Sequence, residues 1–336
     1  MLGSETKVDD ILKGINQSLL RNINYKFQLY GSEALIKKKI EKYKRLIQVS
    51  EIIDCDSFIS MDDKPADIVR TKENSSMYRA IKAVKDNHSD ALLSFGNTGA
   101  LMSLSTLHIK TLEFIRRPAI ASIWPNMLGE SIVLDLGANT KLDARYLIDN
   151  SILGASLAVI LFKIDSPSVG LLNVGVEDNK GREEIKLASD KLKEFTKNIN
   201  INYQGYVEGN DISFGKTNVV VTDGFTGNIA LKTAEGTAKL FQSHLNDAFR
   251  SSILSKIGFF FASLAMKSVR DRLDPRVHNC GILMGLNSLV VKCHGHSEFR
   301  GVSYAADIIY SLLENNVNNK IQHYVSEIQT KLTKGN

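Results

Sequence analysis

The chain has 336 residues, 43% of them apolar and 24% charged, with 42 Lys and Arg against 37 Asp and Glu. That composition excludes a disordered, collagen-like or coiled-coil chain, and a net charge of +5 is too small to indicate a nucleic-acid partner by itself. Three cysteines (Cys55, Cys280, Cys293) without Cys-x-x-Cys spacing point to reduced thiols in a cytoplasmic protein rather than a disulfide framework. No signal-peptide core follows Met1, and no charge-free apolar run approaches the roughly 20 residues that a bilayer span needs.

In chain order, one local pattern recurs four times: a short apolar strand, a loop rich in Gly and Asn, then a helix. Residues 91–94 lead through Phe95-Gly96-Asn97-Thr98-Gly99 into helical sequence from Ala100. Residues 132–134 lead through Asp135-Leu136-Gly137-Ala138-Asn139 towards a helix from Asp143. Residues 169–174 precede the loop 175–181, with Lys180 beside Gly181, and a charged helix from Arg182. Residues 218–221 precede Thr222-Asp223-Gly224-Phe225-Thr226-Gly227-Asn228, with helix from Ile229. Apolar strands alternating with helices read as an α/β fold with a sheet covered on both faces. Ligands of such sheets bind beyond the carboxyl ends of strands, so the four loops are expected to form one anion-binding cleft.

Several familiar sites are absent from the sequence. There is no Gly-x-x-x-x-Gly-Lys-Ser/Thr loop, no Gly-x-Gly-x-x-Gly after a strand, and no Gly-x-Ser-x-Gly elbow. Cys293-His294-Gly295-His296 lacks a second pair at metal-ligand spacing, so a turn is expected there and no metal. Lys180 offers an ammonium to a phosphate or a developing oxyanion, against the plainer alternative of a solvated loop lysine. Asn228 offers an amide donor or a simple helix cap, and Asn97, Thr98 and Asn139 carry the same pair of readings. Residues 250–276 differ in character. Ile253, Leu254, Ile257, Phe260, Phe261, Leu264 and Ala265 recur at helical spacing, with Phe259 and Met266 widening the face. Arg250, Lys256, Lys267, Arg270, Arg272 and Arg276 surround it against Asp271 and Asp274. A basic, Phe-rich amphipathic segment suits a membrane surface or an acidic partner, and the alternative is a core or dimer-interface helix.

These motifs together resemble the acyl-acyl carrier protein:phosphate acyltransferases of bacterial phospholipid synthesis. The resemblance runs through Met61-Asp62-Asp63-Lys64-Pro65, Ser75-Ser76-Met77, Ser94-Phe95-Gly96-Asn97-Thr98-Gly99-Ala100 and Leu134-Asp135-Leu136-Gly137-Ala138-Asn139. It continues through Val169-Gly170-Leu171-Leu172-Asn173-Val174-Gly175, Val207-Glu208-Gly209-Asn210-Asp211 and Asp223-Gly224-Phe225-Thr226-Gly227-Asn228-Ile229-Ala230-Leu231-Lys232. It covers nearly the whole length, so residues 1–333 are expected to be one phosphate acyltransferase domain containing the 250–276 segment.

The resemblance implies a three-layer α/β/α sandwich like phosphotransacetylase and the isocitrate/isopropylmalate dehydrogenases, with a protruding helical hairpin. It implies a homodimer that moves a long-chain acyl group from acyl carrier protein to inorganic phosphate. The acyl-phosphate product feeds a membrane glycerol-3-phosphate acyltransferase, from a position on the inner face of the bacterial membrane. The family's functional Lys and Asn correspond to Lys180 and Asn228. Gly96, Asn97, Thr98, Gly99, Asp135, Asn139 and Gly227 are expected to bind substrate, and Ile257, Phe259, Phe260, Phe261 and Leu264 to meet the membrane. No cofactor and no metal are expected, and no protein nucleophile is needed, because phosphate is itself an anion near neutral pH. Two departures stand out. The family begins with a strand and an Asp-Ala-Met-Gly-Gly-Asp-like loop, of which Met1-Leu2-Gly3-Ser4-Glu5 matches only the tail, so the first strand is expected to be missing. A Gly-Gly-Ala-Pro-Leu-Leu-Gly segment reads here as Asn279-Cys280-Gly281-Ile282-Leu283-Met284-Gly285. The alternative functions are a phosphotransacetylase-like enzyme acting on acyl-coenzyme A, and an inactive membrane scaffold.

Overall fold

The structure is a computed structural model that describes residues 3–22, 24–63, 68, 73–273, 280–293 and 297–334. The amino-terminal part runs α1 (Val8–Leu19), β1 (Phe27–Gly31), α2 (Glu33–Ile40), α3 (Lys44–Gln48), β2 (Ser50–Asp54) and α4 (Ser76–Lys85). Then come β3 (Ala91–Ser94), α5 (Thr98–His108), β4 (Ala119–Asn126), β5 (Gly129–Leu134), α6 (Ala144–Phe162), β6 (Ser168–Leu172) and α7 (Glu183–Phe195). The remainder is β7 (Asn202–Val207), α8 (Gly209–Phe214), β8 (Val219–Val221), α9 (Gly224–Arg250), α10 (Ile253–Leu273), β9 (Cys280–Met284), β10 (Leu289–Cys293), α11 (Phe299–Glu314) and α12 (Val317–Lys334).

Eight strands form one sheet in the order β3-β10-β9-β4-β5-β8-β6-β7, while β1 and β2 pair parallel in a separate two-stranded sheet. Alternate residues of each strand enter different cores, as the pleat requires. Ile132, Leu134, Val219, Val221 and Val291 join the core under α1, α6, α7, α11 and α12. Val133, Val220 and Val290 join the core under α4, α5 and α8. The result is the expected three-layer α/β/α sandwich. Helix α6 is apolar and long enough to cross a membrane by length and composition, yet its residues from Tyr146 to Ala158 are buried between the sheet and the outer helices.

The sheet is mixed. Strands β3, β10 and β4 run one way and the other five run opposite, because β9 and β4 pair antiparallel with each other and with their outer neighbours β10 and β5. The loops after β5, β6 and β8 therefore leave one end of the sheet and the loop after β3 leaves the other. Helix starts also differ from the sequence reading. Helix α5 begins at Thr98, two residues before Ala100, since Asn97 caps it. Helix α9 begins at Gly224 rather than Ile229. The Asp223 carboxylate accepts from the N–H groups of Phe225 and Thr226, both at 3.0 Å, so the Gly-rich stretch is already the first turn. The 250–276 segment is not one helix: α9 ends at Arg250, and α10 starts after Ser251-Ser252. Among the described residues, β1 and β3 each keep one edge without a strand partner.

Candidate active site

The loop after β5 is organised by one carboxylate. Asp135, fully buried, accepts at Oδ1 from the N–H groups of Ile120 (3.1 Å), Gly137 (3.0 Å) and Ala138 (2.8 Å). Its Oδ2 accepts from Asn139 N–H at 2.7 Å and the Tyr146 hydroxyl at 2.8 Å. Burial pushes the Asp135 carboxyl up, against those backbone and hydroxyl donors, which favour the ionised form. The Asn139 amide donates to the Pro118 carbonyl (2.8 Å) and the Tyr146 hydroxyl (2.7 Å). Both side chains are thus spent on the shape of their own loop.

That loop seats the start of α9. The Gly224 N–H donates to the Asn139 carbonyl at 2.8 Å. A Cβ on Gly227 would lie 1.9 Å from the Asp135 carbonyl oxygen, so only glycine lets the helix approach so closely. Gly137, with φ of 134°, faces Asn228: a Cβ there would stand 3.7 Å from the Asn228 amide carbon. The Asn228 amide is exposed and makes no hydrogen bond among the described residues. It is the fifth residue of α9, just past the first turn, and is not the cap, a role Asp223 fills.

The loop after β3 is built similarly. The Asn97 Oδ1 accepts from Ala100 N–H at 3.0 Å, while its Nδ2 donates to the carbonyls of Ser60 (3.3 Å), Met61 (2.9 Å) and Asp63 (3.3 Å). Asn97 therefore ties the 60–63 loop to α5, and Thr98 is the first residue of that helix. Gly96 packs under Met77, where a Cβ would come within 2.7 Å of its methyl group. Gly99 lies in the first turn of α5.

A cavity of about 170 Å³ lies where these loops meet the sheet. It is lined by Thr98, by Leu136 and Gly137, by Asn228 and Leu231, and by Ile120, Ser122, Cys280, Gly281, Lys292 and Cys293 of the central strands. The structure brings Thr98 and Asn228 together as expected. Lys180 is exposed in the loop after β6 and is not among the lining residues. Asn173 holds that loop, donating to the carbonyls of Gly175 (3.1 Å) and Lys180 (3.2 Å). The residue the sequence reading passed over is Lys292. It is 7% exposed, and burial pulls its ammonium down to about 8. Its signal was a single charge in the apolar run Leu289-Val290-Val291-Lys292-Cys293.

The amphipathic segment faces outward. Ile253 and Leu254 are 77% and 81% exposed, and Phe260 and Phe261 are 74% and 78% exposed. Ile257 is half exposed, and Phe259 turns back against Phe249 of α9 at a ring separation of 4.8 Å. The side chains of Leu264, Ala265, Met266, Lys267, Arg270, Asp271 and Arg272 lie outside the described residues, as do Lys64, Pro65, Asp274, Arg276, His294 and His296.

The mixed α/β/α sandwich places the chain in the phosphotransacetylase fold class. A phosphotransacetylase from Streptococcus pyogenes superposes with a TM-score of 0.59 over 95% of this chain and 91% of that one, a likeness of fold alone at 14% identity. The chain belongs to the fatty acid synthesis protein family, whose model matches residues 1–320. A phosphate acyltransferase of Xanthobacter autotrophicus is 44% identical over 96% of this chain and 90% of its own length. One of Sinorhizobium fredii is 43% identical over 96% of this chain and 93% of its own.

Proposed function

We propose that the chain is a phosphate acyltransferase of lipid synthesis, moving a long-chain acyl group from acyl carrier protein to inorganic phosphate. The observation that carries this reading is the cavity itself. Thr98 at the start of α5 and Asn228 and Leu231, one turn into α9, line it, and the Asn228 amide has no partner among the described residues. A helix start such as that of α5 favours an anion through its dipole and first-turn N–H groups, whereas the first three N–H groups of α9 are taken by Asn139 and Asp223. The extensive similarity to relatives named phosphate acyltransferase supplies the class of acceptor.

In this reading a phosphate oxygen attacks the thioester carbonyl carbon. The tetrahedral oxyanion then collapses, the carbon–sulfur bond breaks, and the thiolate leaves and takes up a proton. No protein nucleophile is required, so the site supplies position and oxyanion stabilisation. Asn228 donates to the oxyanion, and Thr98 and the Gly96–Gly99 turn flank the phosphate. Lys180 leaves the same end of the sheet as the Asp135 and Asp223 loops and brings its ammonium over the thioester. Asp135, Asn139 and Gly227 serve the site by fixing the floor on which α9 sits.

The exposed apolar face of α10 docks the enzyme on the cytoplasmic membrane surface, beside a membrane acyltransferase that takes the product. Phe225, Ile229, Leu240 and Phe241, exposed along α9, give a second copy of the chain an apolar surface to meet. The decisive experiment incubates purified protein with acyl-acyl carrier protein and inorganic phosphate, and traps acyl phosphate with hydroxylamine. Phosphate-dependent product supports the reading. Product only from acyl-coenzyme A supports a phosphotransacetylase-like enzyme, and no product from either donor supports a scaffold.

A further inference from the structure

Among the described residues, the cavity is lined by a single charged residue, Lys292. Its ammonium donates to the carbonyl oxygen of Cys293, and no carboxylate lies within 4 Å of it among the described residues. A buried cation is costly unless paired. Beyond burial, Cys293 and Glu5 favour its charge while Lys232 of α9 opposes it, and none of them is a carboxylate within 4 Å. The neighbouring thiols do not supply an anion, since burial pushes Cys280 up to about 12 and Cys293 well above its ordinary value.

The residues paired with Lys292 across the ladder are small. Across the ladder it faces Gly281 on one side and Ser94 on the other. Gly281 cannot gain a side chain, because a Cβ would lie 2.4 Å from Ile120 Cγ2. Small neighbours, a buried cation without a carboxylate partner, the start of α5 and the Asn228 amide thus converge on one space.

We infer that Lys292 is the substrate-binding residue that holds the attacking phosphate in this cavity, supplying the counter-charge that the fold leaves out. The inference rests on the phosphate acyltransferase reading and extends it by naming the cation that grips the acceptor. Lys180 keeps its separate place over the thioester.

The test titrates inorganic phosphate into the purified full chain and its Lys292→Met and Lys292→Arg variants, by calorimetry without acyl donor and by initial rates with it. Losing one charge-assisted contact weakens phosphate by about ten-fold or more. Lys292→Met is therefore expected to raise the phosphate KM and Kd to that extent, with the acyl-donor KM unchanged and Lys292→Arg partly restoring both. Wild-type phosphate affinity is also expected to fall above pH 8, where the ammonium deprotonates although phosphate is already mostly dianionic. A Lys292→Met variant that binds phosphate like the wild type overturns the inference and leaves the functional reading standing. If that variant does not fold by circular dichroism, the wild-type pH series decides, and affinity that stays level from pH 7 to about 9.5 overturns the inference. Wild-type protein that neither binds phosphate nor forms acyl phosphate overturns both.

Discussion

Replacing Gly227 with Ala separates catalytic geometry from stability. The new methyl carbon would stand 1.9 Å from the Asp135 carbonyl oxygen and 2.9 Å from Thr222 Cγ2. Ordinary contact begins about 1.5 Å further out, by the spacing at which real Cβ atoms meet their neighbours. The 135–139 loop cannot retreat easily, because five donors pin the Asp135 carboxylate and Asn139 is bonded to Pro118 and Tyr146. The start of α9 has to move instead, carrying Asn228 with it. Overpacking of this kind costs about 1–3 kcal/mol, and the better helix propensity of Ala returns up to about 1 kcal/mol. Net destabilisation is therefore about 0–2 kcal/mol, a melting shift of a few degrees. A misplacement of about 1 Å at a reacting centre costs roughly a hundred-fold in rate. The expected result is a large fall in kcat/KM for acyl phosphate formation with a small change in Tm. Gly236 of the same helix has nothing within 4 Å of its would-be Cβ, so Gly236→Ala should keep the rate and melt slightly higher. Wild-type turnover by Gly227→Ala would refute the argument that this contact sets the position of Asn228.

Lys180→Met should lower kcat by about a hundred- to a thousand-fold if its ammonium meets the oxyanion, with Tm unchanged because the side chain is exposed; near-normal rates dismiss that role. Changing Phe260 and Phe261 together to Ser should weaken binding to anionic vesicles by about a hundred-fold or more, since each buried ring contributes about 1.5–3 kcal/mol. Undiminished sedimentation with vesicles would assign that face to another role. In phosphate-free buffer the unfolded chain keeps the Lys292 proton between about pH 8 and 10.5 while the folded one has released it. Stability should accordingly rise with pH through that window, by up to about 3 kcal/mol, and Lys292→Met should lack the rise; parallel denaturant curves for both proteins would contradict this. Chelators should leave turnover unchanged, and activity that is lost with chelation and returns with Zn²⁺ or Mg²⁺ would show a metal requirement.

Strands β3, β5, β6 and β8 were legible because short apolar runs between Gly and Asn loops have few other uses in a buried sheet, whereas the other six strands lack that punctuation. The direction of those strands was not. Two of the antiparallel pairs, β4–β5 and β9–β10, are hairpins, but the pair that joins them, β4–β9, links strands far apart in sequence and leaves no local pattern. The 222–228 loop misled for a physical reason. Two glycines and an Asn lower helix propensity, yet here the glycines let a helix lie directly on the Asp135 carbonyl, and packing outweighs propensity. Asp135 and Asn97 stood out as polar residues in Gly loops, but only the folded chain shows their oxygens and amides occupied by backbone groups. Lys292 was hidden because one lysine near the end of an apolar strand reads as an edge residue. Its burial depends on β3 and β9 flanking it and on α9 covering the cavity, contacts that come from elsewhere in the sequence.

Helix α9 is a ruler as well as a wall. Its 27 residues begin at the cavity and end at the exposed tip that carries Ile253 and Leu254. At 1.5 Å per residue the rod is about 40 Å long, so the backbone itself sets a standoff between the chemistry and any surface the tip touches. That distance can be edited without touching either end. Adding or removing one turn between Gly236 and Phe249 would shift the tip by about 5.4 Å and leave every cavity residue in place.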